Sequence, residues 1–333
     1  MLKRQGALPR LGFLGTGWIG RHRLESIHRS GEAEIVAIAD LNRENALDAA
    51  QLVPKVRVLS SLDDLLELDL DGVVIATPSA GHGSQAERAL EKGMAVFCQK
   101  PLGRNAAETV RVVDASRRAD RLLGVDFCYR FTDGMERIHS MVQQRKLGEV
   151  FAADLVFHNA YGPDKPWFYD AELSGGGCLM DLGSHLVDLA LWLFDYPEIR
   201  SVGSSIYAKG ERLKAGSGQV EDYAAVSLCL EGGSVVRIAC SWNVSAGQDA
   251  VISCNLYGTD GGASFRNVDG SFYDFVAEHF RGTSRRTLAT PPDDWGGRAA
   301  VTWCRRLRRG HGFDPESEQL VRVAAALDAA YGR

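Results

Sequence analysis

The stretch Leu11–Arg23 reads LGFLGTGWIGRHR. A short apolar run ends at Gly15, and Thr16, Gly17, Trp18, Ile19 and Gly20 complete a G-x-G-x-x-G turn before a helical pattern begins. Alone this spacing is weak. Following a strand and opening a helix near the start of the chain, it is a dinucleotide fingerprint. Gly15 permits the tight turn, Gly17 lets a pyrophosphate approach the backbone, and Gly20 lets helix pack on strand. The helix N-terminus then faces the phosphates. Asp40 closes the next apolar run, twenty residues after Gly20, where a carboxylate accepts from ribose hydroxyls. With the adjoining Leu41, it completes the expected adenosine end. The Asp40 charge repels a 2′-phosphate and favours NAD; Arg43 leaves NADP possible.

Outward from this turn, apolar runs alternate with helical patterns. AEIVAIAD (33–40), VRVL, GVVIATP (72–78), MAVFCQKP and LLGVDFCYRF read as strands. Between them lie helices opened by Asn42 and Ser61, GSQAERALEKG stopped by Gly93, and NAAETVRVVDASRRAD. This alternation predicts an α/β, doubly wound parallel sheet. After Phe131 the pattern changes. Strands of partly alternating polarity are joined by Glu-Gly-Gly and Asp-Gly-Gly, which are hairpin signals. We expect a dinucleotide domain over 1–128 and an α/β domain with a large open, mostly antiparallel sheet over 129–333.

The chain has 333 residues, 45% apolar and 24% charged, with net charge −5. That balance gives no reason to expect nucleic acid as a partner. Four Arg cluster at 305–309, a pattern best read as a solvated helix face. Seven widely spaced Cys without C-x-x-C predict buried, reduced thiols rather than disulfides or a metal site. MLKRQGALPR shows no signal-peptide pattern, and no apolar run reaches the ~18 residues that span a bilayer. A cytoplasmic protein without membrane partners is expected.

Two further motifs carry chemistry. VFCQKPLG places Gln99 and Lys100 at a strand's carboxyl end, where open sheets bind ligands. GGGCLMDLGSHLVDLALWLFD (175–195) is an apolar helix that nevertheless holds Asp181, His185 and Asp188. Asp181 and His185 lie one turn apart on one face.

Together GFLGTGWIG, ATPSAGHGSQAERALEKGMAVFCQKPL, LSGGGCLMDLGSHLVDLALWL and LYGTDGGASF resemble the family of glucose–fructose oxidoreductase, inositol dehydrogenase and the rhizopine-catabolism oxidoreductases. The resemblance covers nearly the whole chain. It implies a Rossmann domain, NAD(P)-dependent oxidation of a sugar or polyol hydroxyl or the reverse reduction, and a homodimer or homotetramer built through the C-terminal sheet. It assigns Lys100, Asp181 and His185 as the catalytic set, with Thr77 and Pro78 near the cofactor and His82 either near the cofactor or structural at the helix start. One departure stands out: the family usually has Glu-Lys-Pro, and this chain has Gln99-Lys100-Pro101. Gln keeps the shape and loses the charge, so Gln99→Glu is expected to remain active with an upward-shifted pH profile.

The chemistry fits these residues. Imidazole has an unperturbed pKa of ~6.5, suited to taking or giving a hydroxyl proton near neutrality. Lys100 suits a developing alkoxide, and Asp181 suits a substrate hydroxyl. Arg130 is a candidate substrate ligand, with an ion pair as its other reading. Tyr129 is placed beside it at the end of the sixth strand. Trp167 is a candidate apolar wall for a sugar. Asp188 either orients His185 or serves structure. Two rivals share the fold: an NAD-binding ligand sensor and an NAD-dependent glycosidase.

Overall fold

A computed structural model describes residues 7–214 and 218–333. The lead-in Met1–Gly6, read above as free of a signal pattern, lies outside them. The described chain divides into two compact units, Met1–Cys128 with Gly296–Val321, and Tyr129–Trp295 with Arg322–Arg333.

The first unit alternates β1 (Arg10–Leu14), α1 (Trp18–Ser30), β2 (Glu34–Ala39), α2 (Arg43–Ala50), β3 (Arg57–Leu59), α3 (Leu62–Leu66), β4 (Gly72–Ile75), α4 (Ser79–Glu91), β5 (Ala95–Cys98), α5 (Ala106–Ala119) and β6 (Leu123–Val125). The six strands are parallel in the order β3-β2-β1-β4-β5-β6. β4 and β5 are buried at every position because helices cover both faces of the sheet. Polar side chains start the helices as their sequence suggests: Asn42, Ser61 and Asn105 accept from the backbone N–H of Glu44, Asp64 and Glu108.

The second unit holds α6 (Asp133–Gln143), β7 (Val150–Asn159), α7 (Ala171–Ser174), α8 (Ser184–Leu193), β8 (Ile199–Ala208), β9 (Glu211–Arg212), β10 (Tyr223–Leu230), β11 (Val235–Ser241), β12 (Ala250–Gly258), β13 (Gly262–Asn267), β14 (Phe275–Arg281) and β15 (Ser284–Ala289). The strands form one sheet in the order β15-β14-β13-β12-β7-β11-β10-β8-β9. Pairing is antiparallel except for β7 with β11, where the long excursion through α8 makes a parallel return possible. The Glu-Gly-Gly and Asp-Gly-Gly signals join β10 to β11 and β12 to β13. The β14–β15 hairpin escapes the sequence reading because β15 is half Arg and Ser and mostly exposed.

Two expectations change here. The chain returns to the first unit through α9 (Arg298–Arg308), so residues 129–333 are not one domain. The physical reason is Trp303, which packs on Phe97 at 5.8 Å and fills space left by missing side chains. A Cβ on Gly72 or Gly124 would lie 2.8 Å from its ring. Secondly, Tyr129 and Arg130 do not extend the sixth strand. Cys128–Phe131 is a 3₁₀ turn, closed as Tyr129 O accepts from the Thr132 hydroxyl at 2.9 Å before Thr132 caps α6. The Arg-rich face is paired with carboxylates: Arg305 and Arg308 meet Glu32 at 2.9 and 3.1 Å, and Arg306 meets Asp314. All seven cysteines are free thiols, six buried and Cys229 half-buried. The last helix, α10, spans Gln319–Tyr331. Among the described residues no helix is long and apolar enough to cross a membrane.

Candidate active site

The first unit gathers its functional residues at the carboxyl ends of β1, β4 and β5. Strand order reverses between β1 and β4, so the turns after them flank the crevice where such sheets take ligands. Gly15 has φ +86°, and a Cβ there would lie 2.6 Å from Ala76 O. A Cβ on Gly20 would meet Gly15 O at 2.2 Å, whereas one on Gly17 would meet nothing within 4 Å. The turn is therefore closed towards the protein and open where a phosphate would approach the start of α1. Asp40 Oδ2 accepts from Thr16 N at 2.6 Å and from its hydroxyl at 3.2 Å, while Oδ1 accepts from Asn42 N at 2.8 Å. The carboxylate thus props the glycine turn as well as ending β2. Trp18 is 70% and Leu41 98% exposed, the surface expected of residues that border a bound dinucleotide. Ile19 is half-buried and Arg43 is exposed at the start of α2. These residues fit a nicotinamide dinucleotide: an open, donor-rich helix start with an acid one strand away.

Pro78 starts α4, and the Thr77 hydroxyl donates to Gln85 Oε1 at 2.6 Å. His82, expected to contact the cofactor, is 1% exposed, and both ring nitrogens are occupied. Nδ1 lies 2.7 Å from Pro101 O and Nε2 lies 2.7 Å from Thr77 O. Burial pushes its pKa down while the two carbonyls pull it up. It therefore braces the turn after β4 against the turn after β5, which is the structural one of its two readings. Lys100 is half-buried and follows Gln99 directly, with a cis peptide to Pro101.

In the second unit the helix bearing Asp181 and His185 opens with a π-helical turn, Leu179–Gly183, that runs into α8. Such wide turns recur at functional positions. Glu221, which the sequence reading passed over, seats it. Its buried carboxylate accepts from Gly177 N (3.0 Å to each oxygen), Leu179 N (2.9 Å) and the Tyr331 hydroxyl (2.7 Å). A negative group at a helix start also opposes the helix dipole favourably. Burial pushes the Glu221 carboxyl up, against the Tyr331 hydrogen bond and the backbone donors. Gly177 is required by this packing, since a Cβ would lie 1.9 Å from Glu221 O.

Asp181 accepts from the indole N–H of Trp242 at 3.2 Å. Trp242 was also missed; it is 2% exposed, immediately after β11, and meets Phe168 and Tyr169 edge-on at 6.2 and 5.6 Å. The only sequence signal was an aromatic at a strand end. Trp167 is half-buried on the preceding 3₁₀ turn and stacks on Phe168 at 3.8 Å. His185 is 7% exposed and stands edge-on to Tyr129 at 5.0 Å. Tyr129 in turn packs on Phe157, Trp295 and Phe275, which fixes the imidazole plane.

Of the two readings of Arg130, the ion pair is the one present. Its guanidinium grips the buried Asp188 carboxylate through Nε at 2.6 Å and through Nη2, and lies over the Trp192 and Tyr196 rings. Asp188 therefore serves structure. Burial pushes its carboxyl up to about 6 although Arg130 pulls it down. The hydrophobic helix carries three titratable groups for two reasons: Asp181 and His185 are held by Trp242 and Tyr129, and Asp188 anchors Arg130.

Comparisons with known proteins agree with this layout. Residues 10–127 match the family described as oxidoreductase, NAD-binding Rossmann fold, and residues 135–264 match the GFO/IDH/MocA C-terminal domain. Inositol 2-dehydrogenase 3 of Saccharopolyspora erythraea is 28% identical over 255 residues, covering 76% of this chain and 71% of that protein. D-glucoside 3-dehydrogenase of Escherichia coli is 26% identical, covering 77% and 76%. In fold, levoglucosan dehydrogenase in complex with NADH superposes with a TM-score of 0.83 at 21% identity, covering 98% and 96%.

Proposed function

The chain belongs to the GFO/IDH/MocA family of NAD(P)-dependent oxidoreductases, and on that premise we propose a substrate and a division of labour. The substrate is a sugar, inositol or related polyol, oxidised at a secondary hydroxyl or formed by reduction of the ketone. The names of the relatives support this class. Gly15–Gly20, Asp40 and Leu41 hold the dinucleotide, with NAD favoured by the Asp40 charge. When bound, its nicotinamide supplies the hydride acceptor.

His185 takes the hydroxyl proton on a ring nitrogen, or returns it in reduction. Lys100 donates to the substrate oxygen and stabilises the charge that develops there. Asp181, oriented by Trp242, accepts from a substrate hydroxyl. Trp167 offers an apolar wall to sugar C–H surface. The observation that carries this reading is the mounting of Asp181 and His185. A carboxylate-capped π turn and an aromatic cage hold two polar groups on an otherwise apolar helix, at the cost of burying them.

The test is NADH formation from a panel of inositols, aldoses and amino or deoxy sugars with NAD and NADP. His185→Ala and Lys100→Ala are expected to lower kcat at least a hundredfold with NAD binding intact. Near-wild-type turnover in either variant refutes the assignment, and NAD binding with no NADH from any substrate returns the sensor reading.

A further inference from the structure

Asp126 follows β6 and is 1% exposed. One oxygen, Oδ2, accepts from Arg23 Nε at 2.6 Å and from Gln99 Nε2 at 2.5 Å. The other, Oδ1, is buried and takes no hydrogen bond from the described residues. Three segments therefore converge on one carboxylate: the helix opened by the glycine turn, the residue before Lys100, and the end of the sixth strand. All lie at the carboxyl edge of the sheet.

The contact also explains why position 99 is an amide. A carboxylate at 99 would set two negative oxygens at the 2.5 Å now spanned by a hydrogen bond, and two carboxyls so placed do not both ionise. The charged and titratable groups that face Asp126 are Arg23, with His22 beside it at 2.9 Å, and the thiols Cys98 and Cys128, of which Cys128 also feels Lys100. The Cys128 thiol, pushed up to about 12 by burial, feels Asp126, Arg23 and Lys100 together.

We propose that Asp126 is a positioning residue for hydride transfer: it fixes Gln99, and with it the adjoining Lys100, and supplies the buried negative charge that offsets Arg23. The proposal rests on the role given to Lys100 above. It revises the sequence expectation for Gln99→Glu, which now adds a second carboxylate to an occupied site and lowers activity.

The experiment compares Asp126→Asn, Gln99→Glu and the double variant Gln99→Glu/Asp126→Asn in the full chain. The readouts are kcat and KM against pH with a polyol the wild type oxidises, NAD binding by fluorescence, and thermal unfolding. Each single change is expected to lower kcat at least tenfold, with NAD affinity and substrate KM within threefold. In Asp126→Asn the alkaline limb of the kcat profile should move to lower pH, as for loss of a negative charge. The double variant moves the charge to position 99 and should recover to within threefold of wild type. Losses that multiply in the double variant, or an Asp126→Asn profile superimposable on the wild type, overturn the proposal. If Gln99→Glu does not fold, a double variant no more active than Asp126→Asn overturns it. If the wild type makes no NADH from any polyol, the functional reading fails first. Unfolding then judges the Gln99–Asp126 pairing, and additive losses of stability overturn it.

Discussion

Replacing Glu221 with Ala removes the acceptor on which the helix bearing Asp181 and His185 is seated. Three donors converge on it: Gly177 N, Leu179 N and the Tyr331 hydroxyl. Each buried donor left without an acceptor costs about 1–3 kcal/mol. Relief from burying the carboxylate offsets part of that sum. The net loss is therefore placed at about 4 kcal/mol, out of a total stability that is typically ~5–15 kcal/mol. For a unit of this size that lowers the unfolding midpoint by roughly 10 °C. Glu221→Gln keeps one acceptor and should lose about half as much. Tryptophan fluorescence in urea reports the transition, and one contributor, Trp242, touches the same helix through Asp181. The dinucleotide turn belongs to the first unit, so NAD affinity should hold while kcat falls. A loss below ~1 kcal/mol with unchanged m-value, or unaltered kcat, refutes the view that this carboxylate seats Asp181 and His185.

Three other outcomes follow from the same geometry. Arg130→Met strands the buried Asp188 carboxylate and should cost ~3–5 kcal/mol in urea unfolding, while Arg130→Met/Asp188→Leu recovers most of it; a substrate KM effect without a stability loss would restore Arg130 as a ligand. Asp40→Ala should weaken NAD binding about tenfold and narrow the preference over NADP, since Arg43 remains; equal weakening for both dinucleotides counts against a ribose contact. Burial holds the His158 imidazole, on Ser241 at 2.7 Å, below its unfolded value of 6.5. Its folded state therefore binds fewer protons, and the stability it contributes is complete above pH 6.5 and lost as pH falls below it. His158→Gln should flatten that slope, and an unchanged slope refutes it.

The dinucleotide half was legible in the sequence because its requirements are local. The glycine turn, Asp40 and the caps Asn42, Ser61 and Asn105 are each set by a few neighbouring residues. The parallel order followed from strict alternation of strand and helix. In the second half, the apolar helix announced Asp181, His185 and Asp188 but not their partners. Glu221, Trp242 and Tyr129 lie tens of residues away in the chain, and nothing at their own positions ties them to this helix. The same holds for Arg130 with Asp188 and for Trp303, which brings α9 back to the first sheet.

By itself, then, the sequence determined the fold class and the cofactor turn, and singled out side chains suited to chemistry, because backbone conformation and hydrophobic period act over short spans. Only the tertiary structure decided what each polar group faces. A buried charge is tolerated only beside a partner, and partners are chosen by the packing of distant segments. That choice made His82 a brace between two turns, paired Arg130 with Asp188, and set an amide at Gln99 against the carboxylate of Asp126.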